Sequence, residues 1–517
     1  MKPRLRSVGT ALTLGLPLLF LAYFFLYPLV RICWLSLSGE GWTDAFTRPR
    51  FVEAAWFTLW QATLSTVLTV VAALPLTWVL SRFNFRGKAL IRAFVTIPFV
   101  LPTVVVGAAF LSVFDAGIWA LIAAHVFYNV AVVVRTVGGV WSRIDSTVEE
   151  AAAVLGASPL TRFRTVVFPL IRPALASASA IVFLFCFTSF GTVLVLGQGR
   201  LRTLEVEIYQ QAVNFLDLPV AAALSLIQLA TVTAMLVVSA RAQKRASALT
   251  LVSEARLPDP RPGGQRRGVW AILSISLGLL SIPLVGLVGA SLKGNGVGWR
   301  SLVTETPAAV EPLPAIVNSV GYAVVASMIA VVVGGLAASW LANRQGAGWF
   351  DLLLMLPLGT SAVTIGFGFL LALDRPIDLR GTAALVPLAH ALVAIPFVVR
   401  ATLPLLRSIR RELREAAAVL GASPSRVWRE IDLPIVARAL AVGAGFAAVV
   451  SLGEFGATSF VVRPASMTVP ALIFRYLGRP GSSSFATAMA LAVVLAVMTA
   501  IIVLLIDRVR GAETGTF

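Results

Sequence analysis

The chain has 517 residues, of which 58% are hydrophobic and only 13% are charged. This balance excludes an ordinary soluble protein, because so few charged side chains could not cover a core of this size. The net charge of +18 would suit a nucleic-acid-binding protein, but the positions of the basic residues favour a different explanation, given below.

Apolar stretches long enough to cross a bilayer recur along the whole chain. A hydrocarbon core of about 30 Å requires about 20 apolar residues of helix, and backbone in lipid must form its hydrogen bonds within its own segment. We therefore predict an all-α polytopic membrane protein with 12 transmembrane helices. In chain order the predicted spans are Ala11–Val30, Ala54–Ser81, Ala93–Phe114, Ala116–Val134, Ala174–Gly199, Leu218–Ala240, Gly268–Leu292, Leu313–Asn343, Leu352–Leu373, Gly381–Val399, Ala439–Val462 and Pro480–Ile506.

The basic residues collect in every second connection between these spans. If the amino terminus is inside, most of the 42 Lys and Arg residues lie in inner segments, which is the asymmetry typical of inner-membrane proteins. This pattern explains the net charge as membrane topology and predicts no nucleic-acid partner. It places both termini in the cytoplasm. The first apolar run is long and lacks a small-residue cleavage site, so we predict an uncleaved first helix in a multi-pass protein of the cell inner membrane.

A ten-residue segment occurs twice in the chain. Residues 150–159 and 415–424 both read EAAAVLGASP, 265 positions apart. The same offset relates His125 to His390 and Thr203 to Thr468. We predict a tandem duplication with a first six-helix half at residues 1–245, a cytoplasmic linker at 246–267 and a second six-helix half at 268–517. Because each half has an even number of spans, the halves are parallel repeats.

The duplicated segment has a clear local preference. Its Glu-Ala-Ala-Ala-Val-Leu part favours helix, the glycine permits the positive φ that ends a helix, and Ser-Pro starts the next helix with serine as its cap. We predict two short helices at a fixed angle. A role limited to closing the end of each bundle is the simpler alternative, but it does not require identity over ten residues.

The same segment, extended toward the next span, carries a resemblance. Glu-Ala-Ala, three residues, Gly, nine residues, Ile or Val, one residue and Leu-Pro is similar to the signature loop of binding-protein-dependent ABC import permeases, and only Phe168 departs from it. The resemblance implies a type I importer permease, with two coupling loops that dock on ATP-hydrolysing subunits. The residues implied in ATPase coupling are Glu150, Ala151, Ala152, Gly156, Ser158, Pro159, Glu415, Ala416, Ala417, Gly421, Ser423 and Pro424.

The chain itself lacks a nucleotide-binding motif. Gly87-Lys88 comes nearest to a phosphate-binding loop, but the upstream glycine and the following Ser or Thr are missing. We therefore predict a translocation subunit that is not an enzyme and has no cofactor or metal of its own. The resemblance implies that two copies of an ABC ATPase subunit bind ATP and Mg, and that an extracytoplasmic solute-binding protein delivers the solute.

A twelve-helix secondary transporter is the alternative from another class. Such transporters usually carry ionisable residues deep in their spans, and here the candidates are His125, His390 and Glu454, with Ser189 at the position equivalent to Glu454. Together with Phe190 and Phe455, these residues are our candidates for the translocation pathway. A packing role is the alternative for the two histidines and for Glu454. Dependence on an ATPase, rather than on a proton gradient, would separate the two classes.

The fused two-half arrangement resembles the iron(III) and thiamine branches of the permease family. Segments 60–62, 124–129, 185–191 and 204–210 look more like thiamine permeases. Aromatic and carboxylate residues in them, such as Glu205 and Glu207, would suit a cationic ring ligand. We expect thiamine or a related small cation as the substrate, and iron(III) next.

Overall fold

The computed structural model describes residues 13–39, 41–246, 259–304, 311–344 and 346–511. Most of the predicted linker, 247–258, lies outside these residues, as do both chain ends. The described residues form helices and loops. In the first half the helices are α1 (Thr13–Leu37), α2 (Gly41–Thr47), α3 (Pro49–Arg82), α4 (Lys88–Val100), α5 (Thr103–Leu111), α6 (Ile118–Trp141), α7 (Ser146–Val154), α8 (Pro159–Phe187), α9 (Gly191–Gly197), α10 (Leu204–Tyr209) and α11 (Leu218–Ala246).

The second half repeats this order of long and short helices. Its helices are α12 (Gly264–Leu292), α13 (Val297–Arg300), α14 (Pro312–Ala342), α15 (Gly348–Gly359), α16 (Ala362–Ala372), α17 (Leu385–Ser408), α18 (Arg411–Val419), α19 (Ser425–Gly453), α20 (Thr458–Val461), α21 (Val469–Leu477) and α22 (Ser482–Gly511).

Ten of the described helices are long and apolar enough to cross a membrane, and the number rises to 12 if two bent pairs each count as one span. The pairs are α4 with α5, bent by 98°, and α15 with α16, bent by 96°. Continuous helices in these two places were a wrong prediction. Leu101 is extended because it precedes Pro102, which disfavours helix. In the second pair Thr360 is extended, and the Ser361 hydroxyl then caps α16 by accepting from the Val363 N–H at 3.1 Å.

Two other predicted spans run past the ends of their helices. The span Ala174–Gly199 was expected to be continuous, but α8 ends at Phe187 and α9 begins at Gly191. Likewise α19 ends at Gly453, inside the predicted span Ala439–Val462. The break in the second half has a local cause, since Glu454 is extended and uses its carboxylate to cap the short helix α20. In both halves the span is therefore followed by a short broken segment.

Contacts divide the chain into two compact units. One comprises residues up to Asp44, Ile208–Leu226 and Ser291–Phe517, and the other comprises Ala45–Glu207 and Ile227–Ala290. These units differ from the predicted halves because the first helix of each half packs with helices of the other half.

Close contacts within each unit illustrate this exchange of first helices. In one unit, a Cβ atom added at Gly368 of α16 would lie 2.9 Å from Pro28 of α1. In the other, a Cβ atom at Gly286 of α12 would clash with Val113, which follows α5. Each unit thus includes the first helix of the other half: α1 packs with second-half helices, and α12 packs with first-half helices.

A core of three mutually packed helices recurs in each half. It consists of α3, α6 and α8 in the first half and α14, α17 and α19 in the second. Small residues bring the second set close together, because Cβ atoms at Gly334 and Gly443 would each lie 3.1 Å from Val398. The central helix of each set, α6 or α17, carries the repeated histidine.

Candidate functional site: the duplicated loops and the buried histidines

Loop 1, residues 146–162, consists of the short helix α7, a tight turn and the first turn of α8. Asp145 caps α7, with its Oδ1 accepting from the Thr147 N–H at 2.9 Å. Gly156 adopts φ +84°, and the Ala157 N–H donates to the Ala152 carbonyl at 3.0 Å. This is the six-to-one hydrogen bond of a helix end that needs glycine. The Ser158 hydroxyl then accepts from the Thr161 N–H at 3.2 Å and starts the next helix.

Loop 2, residues 411–427, has the same backbone geometry. Gly421 adopts φ +83°, and the Ala422 N–H donates to the Ala417 carbonyl at 3.0 Å. The Ser423 hydroxyl accepts from the Arg426 N–H at 3.4 Å. The first helix, the glycine turn and the serine cap were predicted from the sequence and are confirmed. The second helix was predicted to be short, but in each half it is the start of a long helix, α8 or α19. The side chain of Pro424 lies outside the described residues.

The same apolar pair is exposed at the tip of both loops. Val154 and Leu155 are 88% and 87% exposed, and Val419 and Leu420 are both 87% exposed. Glu150 and Glu415 are also exposed, as are Ala151 and Ala416, whereas Ala152 and Ala417 are half-buried. The half-buried alanines face their own bundle, and the tips point away from it. Such exposed apolar pairs are suited to a surface on another molecule.

The loops are tied to their bundles by ion pairs of opposite polarity. In loop 1, Glu149 accepts from Arg82, the last residue of α3, at 2.6 Å, and Arg82 also donates to the Ile144 carbonyl at 3.1 Å. The position equivalent to Glu149 in loop 2 is Arg414, which donates to Asp432 of α19 at 2.8 Å. These anchors were not predicted from the sequence, although the charged residue next to the duplicated Glu could have indicated them.

A cleft opens beneath loop 2. Its volume is about 1150 Å³, and it lies between the end of α14, the start of α15 and loop 2. The residues that give the cleft its charge and polarity include Asn343, Asp351, Arg407, Arg414 and Glu415.

His125 joins two helices to α6 in the first half. Its Nδ1 lies 3.2 Å from the Ser65 hydroxyl on α3, and its Nε2 lies 2.9 Å from the hydroxyl of Ser189, which follows α8. The histidine is 4% exposed. Both ring nitrogens are therefore used by neutral hydroxyl partners inside the protein.

His390 occupies the equivalent place in the second half with a carboxylate added. Its Nδ1 lies 2.7 Å from the Ser451 hydroxyl and its Nε2 lies 2.8 Å from the Thr458 hydroxyl. Glu454 Oε2 is 3.3 Å from the same Nε2. The Glu454 carboxylate also accepts from the backbone N–H groups of Ala457 at 2.8 Å and Thr458 at 3.0 Å. It is thus a buried helix cap as well as a histidine partner.

All six pathway candidates are buried in this structure. Ser189 joins His125 and Glu454 joins His390, whereas Phe190 and Phe455 flank these two positions in the chain and are also buried. The contacts are those of polar packing between helices, and the role of the six residues in the pathway stays a prediction.

The carboxylates expected to suit a cationic ligand are also buried. Glu205 and Glu207 of α10 have no exposed surface. Glu207 pairs with Arg50 at 2.9 Å, and Glu205 accepts from the Gln228 amide. In this structure they anchor α10, and their contact with a cationic ligand stays a prediction. The sequence did not reveal Arg50 as the partner because the two residues are far apart in the chain.

Comparison with known proteins agrees with the repeated geometry. The family model described as "Binding-protein-dependent transport system inner membrane component" matches residues 65–247 and 330–511, one match in each half. The chain belongs to this family. It is a fused, two-half permease with the type I ABC permease fold, and family membership argues against the secondary-transporter alternative. The permease is an integral membrane transport subunit.

Relatives extend over nearly the whole permease. It is 29% identical over 535 residues to the thiamine transport system permease protein ThiP of Brucella abortus, covering 97% of this chain and 96% of the relative. ThiP of Salmonella typhimurium is 29% identical over 488 residues, covering 89% and 90%. The sulfate transport system permease protein CysT of Salmonella typhimurium is 34% identical over 245 residues, covering 43% of this chain and 88% of the relative. Of these relatives, the thiamine permeases are therefore similar to this chain over nearly its full length.

Proposed function

We propose that this permease forms the transmembrane pathway of an ATP-driven importer for thiamine or a related small cation. The similarity to thiamine permeases over 97% of the chain supports this substrate, whereas the sulfate permease CysT matches 43% of the chain. Iron(III) is the second candidate, because the fused arrangement also resembles that branch. An extracytoplasmic binding protein delivers the solute, and two ABC ATPase subunits supply the energy.

One observation carries the coupling mechanism: both loops expose the same Val-Leu tip on the same backbone turn. Two like tips suit two like sockets, as a pair of identical ATPase subunits would offer. The excess of basic residues in the connections that hold the loops favours a cytoplasmic location for both. Glu150 and Glu415 lie beside the tips, where each can meet a basic side chain of the ATPase.

The anchors explain how a displacement of a loop reaches the membrane. Loop 1 continues directly into α8 and is tied to the end of α3 by Arg82. Loop 2 continues into α19 and is tied to it by Arg414 and Asp432. When the ATPase subunits close on ATP, the loops are drawn together and the attached core helices move with them. This rigid-body motion alternately opens the pathway to the two sides of the membrane.

The coupling proposal is tested by placing charge at the tips. The double variants V154D/L155D and V419D/L420D should each lower transport by at least about tenfold in proteoliposomes, because a buried unpaired carboxylate is costly at an apolar interface. Gly421→Pro should uncouple in the same way, because proline cannot adopt φ +83°. The control is Val303→Asp, a change at a residue that is 79% exposed and predicted to face outside. Normal transport by both double variants would refute the coupling role.

The substrate is tested separately from the coupling. Uptake of labelled thiamine by the reconstituted complex should saturate and should stop when the ATPase is inactivated. Calorimetry on the binding protein encoded beside the permease should show thiamine binding. If that protein binds iron(III) and not thiamine, the first substrate assignment is wrong and the second replaces it. Loss of uptake with a protonophore, and not with the ATPase defect, would instead restore the secondary-transporter alternative.

A further inference from the structure

An aromatic contact links residues from the two sequence halves within one compact unit. Tyr209, the last residue of α10, meets the ring of Phe460 on α20, with the ring centroids 5.5 Å apart and the rings 89° to each other. Phe460 is 8% exposed, and Tyr209 is half-buried. Both residues lie in the broken segments that follow the core helices α8 and α19.

Phe460 is held on a rigid support. A Cβ atom at Gly366 of α16 would lie 2.7 Å from the Ala457 Cα and 2.9 Å from the Phe460 ring. A Cβ atom at Gly456 would lie 2.9 Å from Ala362. The backbones of α16 and α20 are therefore in direct contact, and only glycine allows it. The ring of Phe367 backs Phe460 at 6.4 Å.

Tyr209 sits at the end of a helix whose earlier residues are anchored. The Leu204 N–H donates to the Thr58 hydroxyl at 2.9 Å, and Glu207 pairs with Arg50. A π-helical turn, Gln210–Asn214, follows Tyr209 directly. Such turns are irregular, and they are frequent at functional sites. The tyrosine is thus the junction between a fixed segment and an irregular one.

The contact is not repeated by the duplication. The residue equivalent to Tyr209 is Phe474, which packs on Phe455 of its own half at 5.5 Å. The residue equivalent to Phe460 is Val195, which is aliphatic and packs against its own half, where a Cβ atom added at Gly107 would lie 2.8 Å from it. Because only the second half has an aromatic ring at the Val195/Phe460 position, the contact between Tyr209 and Phe460 occurs once. A single edge-to-face ring contact is weak enough to break and re-form.

We propose that the Tyr209–Phe460 contact is the closed gate of the translocation pathway, on the side from which the binding protein delivers the solute. This rests on the proposed function, because the topology given there places the segments after α8 and α19 toward that side. Separation of the halves at the core helices pulls α10 away from α20 and parts the rings. The faces of the rings then become available to a cationic ring ligand, which aromatic faces attract.

The gate is tested by bridging the two positions. In a background with Cys33→Ser and Cys186→Ala, the pair Y209C/F460C is joined by a short, reducible bis-thiol reagent in the reconstituted complex. We expect transport to fall at least about tenfold and to return after reduction. We also expect the yield of the bridge to fall at least about fivefold when the ATPase is trapped closed with ATP and vanadate.

The matched control is the pair W340C/F350C. These rings have nearly the same geometry, with centroids 5.3 Å apart and an interplanar angle of 86°, and both belong to the second half. A bridge there joins α14 to α15, which a short loop already connects, so transport should change by less than about twofold and the yield should not respond to vanadate. Normal transport with the Y209C/F460C bridge in place, or no bridge at that pair without nucleotide, would overturn the gate.

A second variant covers the case in which the cysteine pair fails to assemble. Phe460→Val recreates the residue of the first half and should raise the ATP-independent leak of labelled solute several-fold. Val195→Ile, in the first half, should leave the leak unchanged. An equal leak in Phe460→Val and the unmodified permease would overturn the gate. If the unmodified complex transports iron(III) and not thiamine, the substrate assignment fails while the bridge and leak experiments remain valid with iron(III).

Discussion

The two halves of the permease keep the same outer surface and differ in what lies behind it. Loops 1 and 2 have glycine φ angles of +84° and +83° and nearly equal exposure at their Val-Leu tips. Behind them, Glu149 of loop 1 is replaced by Arg414 of loop 2, and Ser189 beside His125 is replaced by Glu454 beside His390. The backbone and tip were retained, whereas the internal partners changed together.

This difference indicates which constraints act on the exposed loops and which act on their internal partners. If the two loops dock on identical partners, as proposed, their surface cannot change in one half alone and its geometry stays fixed. An internal anchor can change its charge if it finds a partner on another element, as Arg414 does in Asp432 of α19 where Glu149 uses Arg82 of α3. Contacts made within the chain can therefore diverge between the halves while the exposed tips stay alike.

The largest expected effect concerns the buried carboxylate. Glu454→Ala removes the acceptor for two backbone N–H groups and the partner of His390, so it should lower the free energy of unfolding by about 3 kcal/mol. Ser189→Ala, at the equivalent position, removes one hydroxyl contact and should cost about 1 kcal/mol. Thermal or denaturant unfolding in detergent compares the two variants. Equal losses would mean that the two histidine clusters are equivalent after all.

Next come the anchors of reversed polarity. Arg414→Glu should reduce transport about two- to fivefold by placing two carboxylates together, and adding Asp432→Arg should restore most of it. Glu149→Arg and its rescue by Arg82→Glu should behave in the same way in loop 1. Transport per ATP hydrolysed is the quantity to measure. Failure of both rescues would indicate that these side chains act through other partners.

The glycine turns should respond equally. Gly156→Ala and Gly421→Ala each force a side chain into the left-handed region, although no atom lies within 4 Å of the added Cβ. The cost should be about 1 kcal/mol in each loop. Transport by the two single variants should therefore fall by the same factor. A clear difference between them would show that the loops are not used equally.

The smallest effect concerns the start of α7. The Thr147 N–H hydrogen bond lowers the pKa of Asp145 below its usual value, whereas Arg410 at the equivalent position makes no side-chain cap. Because the pKa is lowered by folding, this cap contributes above the unfolded pKa of about 3.9 and is lost as the pH falls through the folded pKa.

Hydrogen exchange measures this last difference. Asp145→Ala should speed exchange of the amides in α7 at neutral pH, and Arg410→Ala should leave the amides of α18 unchanged. Loss of protection in both helices, or in neither, would contradict the assignment of a cap to loop 1 alone.

Much of the fold follows from the sequence because lipid allows few solutions. Long apolar runs such as Leu313–Asn343 had to be helices, and Gly156 and Gly421 had to end theirs because the following Ser-Pro starts a new one. The bends at Leu101 and Thr360 were missed because hydropathy does not register a change in backbone direction. The exchange of α1 and α12 between halves was missed because lipid-facing helices carry little information about their neighbours.

The candidate site, too, could be predicted only in part. Local geometry could be predicted, since the duplicated segment contains every residue of its own turn and caps. The partners of Glu207, Glu149 and Glu454 could not, because each contact depends on which distant segment packs beside it. Arg50 and Glu207 are 157 positions apart, and the sequence around either residue does not indicate that the other is its partner.

The cleft beneath loop 2 makes the surroundings of the two loops chemically distinguishable. Its volume is about 1150 Å³, and polar groups of Asn343 and Arg407 line it. A small molecule that fits this cleft would bind beside loop 2 and not beside loop 1. If both loops couple to ATPase subunits as proposed, such a molecule would block one of them and would show whether the other alone can drive transport.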